Sequence, residues 1–213
     1  MEEIDKFRKE ISEIGKRLYN KGFAAGTSGN ISIKYGKQIL ITPSGYNLAD
    51  VNDKDIVILD IEGNNIENNK KPSSEKMMHL EIYKSRNDIN SIIHAHPPKS
   101  TTFAVAGIPL DSPILSEAFV VLGSVPIIEY AAPSSNKLAS LVANYFLRHD
   151  AVLLANHGVV IGGKNLTDTY YKLETLELYA EISIWTKLLG KTNELSQNDI
   201  QELLKIKENM MIK

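Results

Sequence analysis

The stretch Ser91-Ile-Ile-His-Ala-His-Pro97 decides how the rest of the chain is interpreted. A short apolar run that ends at proline is typical of a strand buried in a sheet. Residues i and i+2 of a strand point to one face with Cα atoms roughly 6.5 Å apart, so His94 and His96 could bind one metal ion. The alternative is two half-buried polar residues on a sheet; with five histidines in the chain, such a pair arises by chance roughly one time in ten.

Composition excludes several classes of function. A length of 213 residues predicts a single domain, residues 1–213, that buries roughly 70% of its unfolded surface. The 24 Lys and Arg residues nearly balance 26 Asp and Glu residues, and no long run carries one sign of charge. We therefore expect no nucleic-acid partner and no membrane association. The N-terminal sequence is too charged for a signal peptide, and no apolar stretch is long enough for a membrane span, so we expect a cytoplasmic protein.

The chain has no cysteine, so a transition-metal site would use imidazole and carboxylate ligands. His157 follows a predicted strand and precedes a glycine, a place from which a side chain can project into a cleft. His149 lies beside Asp150 at a predicted helix end, which favours the surface. His79 lies one helical turn after Glu75, on the same face, but a single histidine in a helix is more often packed or hydrogen-bonded than a metal ligand.

Three short segments rich in small residues could hold a phosphate group. Glycine lets the backbone approach a ligand closely, and Ser, Thr and Asn offer short donors. Taken alone, the first segment is better explained as an ordinary helix-to-strand turn. In the third, Ser73 or Ser74 could instead cap a helix that runs to about Arg86, with Glu75 in its first turn. The segments are Gly26-Thr-Ser-Gly-Asn30, Thr42-Pro-Ser-Gly45 and Pro72-Ser-Ser-Glu75.

Taken together, the histidines, Glu75 and the three small-residue segments indicate a metal site beside a phosphate site. His94, His96, His157 and Glu75 would make a four-ligand set suited to zinc with neutral histidines. A phosphate site and a Lewis-acid metal, joined by one carboxylate, imply carbanion chemistry on a phosphorylated sugar.

The remaining pattern predicts alternating helices and strands. The apolar stripe of the long helix 165–189 is either core or subunit interface. In the passage 109–133, prolines restrict strands to short or edge positions. We predict helices at 2–19, 98–106, 138–147, 165–189 and from 196 onward, and strands at 31–33, 38–42, 56–61, 91–97, 151–155 and 159–161.

The ordered motifs resemble those of the class II aldolase/adducin superfamily. Each motif alone is unspecific, but five in this order and spacing make a strong match over residues 22 to about 190. They are Gly-Thr-Ser-Gly-Asn (26–30), Thr-Pro-Ser-Gly (42–45), Pro-Ser-Ser-Glu (72–75), His-Ala-His (94–96) and Asn-His-Gly (156–158).

The resemblance implies an α/β fold with three α/β/α layers around a mainly antiparallel sheet, and a homotetramer with active sites at subunit interfaces. It implies that His94, His96 and His157 hold Zn²⁺, or another divalent metal, and that Glu75 is the acid/base that also approaches the metal. The residues that fall on the family's phosphate-binding positions are Gly29, Asn30, Ser44, Gly45, Ser73 and Ser74.

The expected reaction is cleavage of a ketose 1-phosphate, resembling fuculose 1-phosphate, to dihydroxyacetone phosphate and an aldehyde. Aldolases of the superfamily carry Glu at the position of Glu75, whereas the 4-epimerases usually carry Asp. The alternatives are a pentulose-5-phosphate 4-epimerase, a methylthioribulose-1-phosphate dehydratase and a non-catalytic adducin-like interaction module. A cupin-like barrel also uses His-x-His, but it requires mostly β structure.

The chain departs from the family on the aldehyde side. Sugar aldolases of the family commonly have a tyrosine in the segment matching 111–120, which exchanges a proton with the aldehyde oxygen, and another near the C-terminus. Segment 111–120 has no tyrosine here, and none follows Tyr179. Glu117 is the nearest titratable candidate, and it could as easily be structural.

Overall fold

The computed structural model describes residues 2–67 and 69–211, with only the backbone described for 208–211. Within this part of the chain there are seven helices, seven strands and a short 3₁₀ helix, Asp53–Asp55. The helices are α1 Glu2–Asn20, α2 Lys76–Ser85, α3 Pro98–Ala106, α4 Ser116–Leu122, α5 Asn136–Phe146, α6 Leu166–Leu188 and α7 Gln197–Met211. The strands are β1 Asn30–Tyr35, β2 Gln38–Ile41, β3 Val57–Asp60, β4 Ser91–Ala95, β5 Ile127–Ile128, β6 Ala151–Leu154 and β7 Gly158–Gly163.

The strands form one sheet in the order β3-β2-β1-β4-β7-β6-β5. Neighbouring strands are antiparallel except for β5 and β6, which are parallel. One core contains residues of α1, α3, α4 and α6, and a second core on the other face contains residues of α2 and α5. The predicted three-layer α/β/α fold with a mainly antiparallel sheet is therefore confirmed.

Alternation along the two central strands places polar side chains on the face that α2 covers. Ile31 and Ile33 of β1 belong to the first core, so Asn30 and Ser32 point the other way. Likewise, Ile93 and Ala95 of β4 belong to the first core, and His94 points to the face of α2. Since Asn30 is the direct antiparallel partner of His94, the two side chains lie next to each other.

Most predicted elements are present, and the differences have local causes. Helix α4 was not predicted; it has seven residues, lies in the proline-rich passage, and its N-cap, Leu115, provides no side-chain hydrogen bond. Helix α5 begins at Asn136, two residues earlier than predicted, because the hydroxyl of Ser135 accepts a hydrogen bond from the N–H of Leu138. The predicted stripe of α6 is mostly core: Leu166, Tyr170, Leu173 and Ala180 are buried, whereas Leu188 is exposed.

No helix within residues 2–67 and 69–211 is long and apolar enough to cross a membrane.

Candidate functional site

Three histidines from two parts of the sheet meet at one point. His94 and His96 come from the end of β4, and His157 from the turn between β6 and β7. Their ring centroids are 4.7 to 5.1 Å apart. One ligand atom of each histidine lies within 4.8 Å of those of the other two. This cluster of three imidazoles could hold a metal ion.

The turn that carries His157 is unusually tight against β4. Asn156 has a positive φ of 57°, a conformation that asparagine tolerates better than most residues. A Cβ atom on Gly158 would lie 2.4 Å from Cδ2 of His96 and 2.6 Å from the carbonyl oxygen of Ala95. Only glycine therefore lets the two segments approach so closely, which explains the glycine in the Asn-His-Gly motif.

Glu75 completes the cluster from the start of α2. Its Oε2 lies 3.1 Å from Nε2 of His94, and its Oε1 lies 3.8 Å from Nε2 of His157. Contrary to the capping alternative, Glu75 is itself the N-cap residue, so it precedes the first turn. The hydroxyl of Ser73 accepts a hydrogen bond from the backbone N–H of Glu75 at 3.2 Å and does not cap the helix. The carboxylate is thus placed by the turn before α2.

The donor atoms fit a divalent cation. Nδ1 of His94 is 2.9 Å from the carbonyl oxygen of Val159, which requires a proton on Nδ1 and, in the neutral ring, a lone pair on Nε2. Nε2 of His96 lies 3.1 Å from that Nε2. Among the described residues, Oε1 of Glu75 and Nδ1 of His157 are buried without a hydrogen-bond partner. Ring nitrogens and a carboxylate oxygen crowded in this way suit a cation between them.

The pKa values of Glu75 and the three histidines depend on one another. Burial, with the positive charge of His94 as the next cause, lowers the pKa of His96 and of His157 to about 4, so both rings are neutral ligands near neutral pH. Burial would also lower the pKa of His94, but Glu75 raises it. Burial would raise the pKa of Glu75, but His94 and the hydrogen bond from Asn30 bring it well below its usual range. The carboxylate is therefore ionised, and His94 provides the positive charge beside it.

Two of the three predicted phosphate segments lie side by side. Pro43 and Pro72 form an isolated β-bridge. The N–H of Ser44 donates to the carbonyl of Lys71 at 2.9 Å, and the N–H of Ser73 donates to the carbonyl of Thr42 at 3.0 Å. These two backbone donors are occupied, so a phosphate group would rely on the serine hydroxyls. Gly29 and Gly45, with φ of 81° and 80°, provide the left-handed turns before Asn30 and after Ser44.

Asn30, predicted to bind phosphate, has its side chain on Glu75. Nδ2 donates to Oε2 of Glu75 at 3.0 Å, and Oδ1 lies 2.6 Å from Nε2 of His79. His79 is fully buried and lies outside the cluster of three imidazoles, which agrees with the expectation of a packed, hydrogen-bonded residue. Ser32 and Tyr83 were not among the predicted residues: the hydroxyl of Ser32 lies 2.7 Å from Nδ1 of His79 and 2.7 Å from the hydroxyl of Tyr83. The i, i+2 spacing of Asn30 and Ser32 on β1 was the available signal.

The other predicted candidates lie elsewhere. Nδ1 of His149 contacts the carbonyl oxygen of Ser124 at 3.1 Å, in an exposed position. Glu117 is exposed in the first turn of α4, a helix that packs against α6 and α7.

Comparison with known proteins gives consistent matches over nearly the whole chain. A family model described as the Class II Aldolase and Adducin N-terminal domain matches residues 9–184. The 5-deoxy-D-ribulose 1-phosphate aldolase of Bacillus thuringiensis is 36% identical over 205 residues, 95% of each chain. The L-fuculose phosphate aldolase of Methanocaldococcus jannaschii is 37% identical over 184 residues, 86% of this chain and 99% of that protein. A solved structure of an L-fuculose 1-phosphate aldolase superposes with a TM-score of 0.87 at 34% identity, covering 93% of this chain and 94% of the other.

Proposed function

The chain belongs to the class II aldolase and adducin family and is a lyase of that family, and on this premise we propose that it is a zinc-dependent aldolase. The proposed reaction is the reversible cleavage of a ketose 1-phosphate to dihydroxyacetone phosphate and an aldehyde. The supporting observation is the convergence of three imidazoles on the Glu75 carboxylate. Relatives of similar identity act on different sugar phosphates by name, so the proposal covers ketose 1-phosphates as a class.

In this proposal His94, His96 and His157 hold the zinc ion, with Glu75 beside it. The bound ion supplies a Lewis acid that polarises the substrate carbonyl and stabilises the negative charge that develops during cleavage. The buried strand end and the tight turn keep the three rings in place, so little reorganisation is needed when substrate binds.

Glu75 is the proposed acid/base. When the bond between C3 and C4 breaks, the electron pair stays on C3 of the dihydroxyacetone phosphate half as an enediolate. In the synthetic direction the ionised carboxylate of Glu75 removes a proton from C3. In the cleavage direction the C4 hydroxyl loses its proton on the aldehyde side, and Glu75 takes up one proton from solvent and gives it to C3, so no net proton is gained or lost. The hydrogen bond from Asn30 leaves Oε1 without a protein partner and available for this transfer.

The hydroxyls of Ser44, Ser73 and Ser74 and the glycines of the adjoining turns are the proposed phosphate site. Asn30, together with Gly29 and Gly45, completes the set expected from the family. The joined 42–45 and 71–73 segments lie directly before Glu75, which would bring C3 of a substrate held by its C1 phosphate towards the acid/base. Serine hydroxyls, with backbone N–H groups other than those of Ser44 and Ser73, suit a phosphate group without requiring arginine.

The proton exchanged with the aldehyde oxygen has no assigned group in this chain, and we propose that a second copy contributes to this side of a homotetramer. An exposed apolar stripe on α6, suited to self-association, supports this proposal. The stripe consists of Tyr171, Leu178 and Trp185 on α6 and of Leu189, the C-cap residue that follows it. Trp185→Glu should shift the protein to smaller species in light scattering after size exclusion, whereas an unchanged mass would remove the stripe from the interface.

The test is a panel of substrates with zinc-loaded protein. We expect dihydroxyacetone phosphate to appear from at least one ketose 1-phosphate, with fuculose 1-phosphate and 5-deoxyribulose 1-phosphate as the first choices. Conversion of a pentulose 5-phosphate to its epimer, or loss of water from methylthioribulose 1-phosphate, without dihydroxyacetone phosphate would contradict the proposal. Failure of the purified protein to bind any divalent metal would instead favour an interaction module.

A further inference from the structure

We propose that His79 is a positioning residue that orients Asn30, and through it the carboxylate of Glu75. Four buried side chains form a continuous series of hydrogen-bond contacts between α2 and β1 that ends at the carboxylate of Glu75. They form the series Tyr83, Ser32, His79 and Asn30, which ends at Glu75, with contacts of 2.7, 2.7, 2.6 and 3.0 Å in that order.

The carboxylate of Glu75, at the end of the series, fixes which atom donates in every hydrogen bond. The ionised Glu75 carboxylate only accepts, so Asn30 must turn its NH₂ group toward it and its oxygen toward His79. Nε2 of His79 must then carry the proton that reaches that oxygen. In a neutral ring, Nδ1 is left as an acceptor.

The two remaining partners are compatible with that arrangement. The single hydroxyl proton of Ser32 is donated to Nδ1 of His79, so the oxygen of Ser32 accepts the hydroxyl proton of Tyr83. Burial lowers the pKa of His79 to about 3 and raises that of Tyr83, which keeps both groups neutral. All four donors therefore point toward Glu75, and each contact in the series pairs one donor with one acceptor.

The consequence is that the side-chain amide of Asn30 is held in one orientation. An asparagine amide can rotate by half a turn and exchange its oxygen and nitrogen, which here would place the oxygen against the carboxylate. The Nε2–H donor of His79 makes the correct orientation the stable one. Since His79 lies one turn after Glu75 on α2 and Asn30 lies opposite His94 on β1, the series also ties the acid/base to the metal-binding strand.

Two substitutions separate this role from simple packing. His79→Leu keeps an apolar side chain in the core and removes both ring nitrogens. His79→Gln retains an N–H donor near the position of Nε2 and an acceptor on the same group. His149→Gln, at the histidine that contacts Ser124, is the matched control away from the site.

The inference rests on the proposed aldolase function for its kinetic readout. For His79→Leu we expect kcat to fall about 10- to 100-fold, with KM within roughly threefold and the zinc content unchanged. His79→Gln should recover most of kcat, and His149→Gln should match the wild type. Equal losses in the Leu and Gln variants, or a loss that follows only the melting temperature, would overturn the inference.

A second readout does not depend on turnover. Crystal structures of the two variants should show the contact between Asn30 and Glu75 retained in His79→Gln and broken in His79→Leu; an unmoved Glu75 in His79→Leu overturns the inference. A wild-type protein that cleaves no ketose 1-phosphate would contradict the proposed function while this structural comparison still decided the role of His79. If His79→Leu does not fold, Ser32→Ala should lower kcat about three- to tenfold, and an unchanged kcat overturns the inference.

Discussion

The metal end and the aldehyde end of the proposed site are built differently. The metal end, formed by Glu75, His94, His96 and His157, lies where strands and a helix start meet, and hydrogen bonds hold Oε2 of Glu75 and Nδ1 of His94 in place. The aldehyde end, residues 111–122, is a loop followed by the short helix α4, and its one candidate, Glu117, is exposed. Groups that must hold a cation and a proton in precise positions lie on one strand and on the short segments packed against it. The end that would meet a variable aldehyde is left to a surface segment.

Removing one imidazole from the metal end should have the largest effect, on both zinc affinity and turnover. His157→Ala leaves two ring nitrogens for the cation, so zinc affinity should fall by more than the roughly 100-fold typical of losing a partner outside the ligand set, and turnover should disappear. His149→Ala is the matched control and should keep both. Zinc titration against a chelator measures the effect. Retention of zinc by His157→Ala would show that the metal end does not include the turn after β6.

Exchanging one carboxylate at each end compares the ends directly. Glu75→Gln should retain zinc, because the three imidazoles remain, while kcat falls about 10²- to 10⁴-fold through loss of the acid/base. Glu117→Gln should change kcat less than about threefold, since its side chain is exposed on α4. Both kcat values and the zinc content are measured. A large loss in Glu117→Gln would show that this chain supplies its own aldehyde-side group.

A smaller effect is expected at the phosphate side of the metal end. Ser74 is exposed before α2, and removing its hydroxyl by Ser74→Ala should raise KM about tenfold with little change in kcat, since a hydrogen bond to a charged group is lost equally in ground and transition states. Ser140→Ala on the exposed side of α5 is the control. Steady-state kinetics would contradict the assignment if KM stayed the same.

The smallest effect concerns the ion pairs at the start of β6, and we expect it in the free energy of unfolding only. Asp150, directly before β6, lies 2.9 Å from Arg86 and 3.1 Å from Lys172. Burial would raise the pKa of Asp150, but Lys172 and Arg86 lower it below 3.8. Because the folded-state pKa is lowered, the stabilisation is present above the unfolded value and is lost as pH falls through the folded one.

Asp150→Asn should therefore reduce the free energy of unfolding by about 1 kcal/mol near neutral pH, and its difference from the wild type should shrink below pH 3.8. Glu129→Gln, an exposed carboxylate 3.3 Å from Lys137, should change neither value. Urea unfolding of zinc-free protein at both pH values measures this. If the variant and the wild type differ in free energy of unfolding by the same amount at both pH values, the ion pairs of Asp150 do not cause the difference.

Much of the fold and part of the site followed from local pattern. The pattern at His94 and His96 correctly predicted a buried strand with the two rings close together, although the strand ends at Ala95 and His96 lies just beyond it; the boundaries predicted for α3 match those observed. Helix α4 was missed because seven residues without a side-chain cap among prolines carry almost no periodic signal.

The sequence by itself determined which residues could bind a cation, since backbone periods of 2 and 3.6 and the absence of cysteine depend on no distant contact. Only the tertiary structure decided that His157 joins the β4 histidines, that Asn30 turns to Glu75, and that the N–H groups of Ser44 and Ser73 are already used. These outcomes depend on strand register and on packing between segments dozens of residues apart, and neither is encoded in any single stretch of the chain.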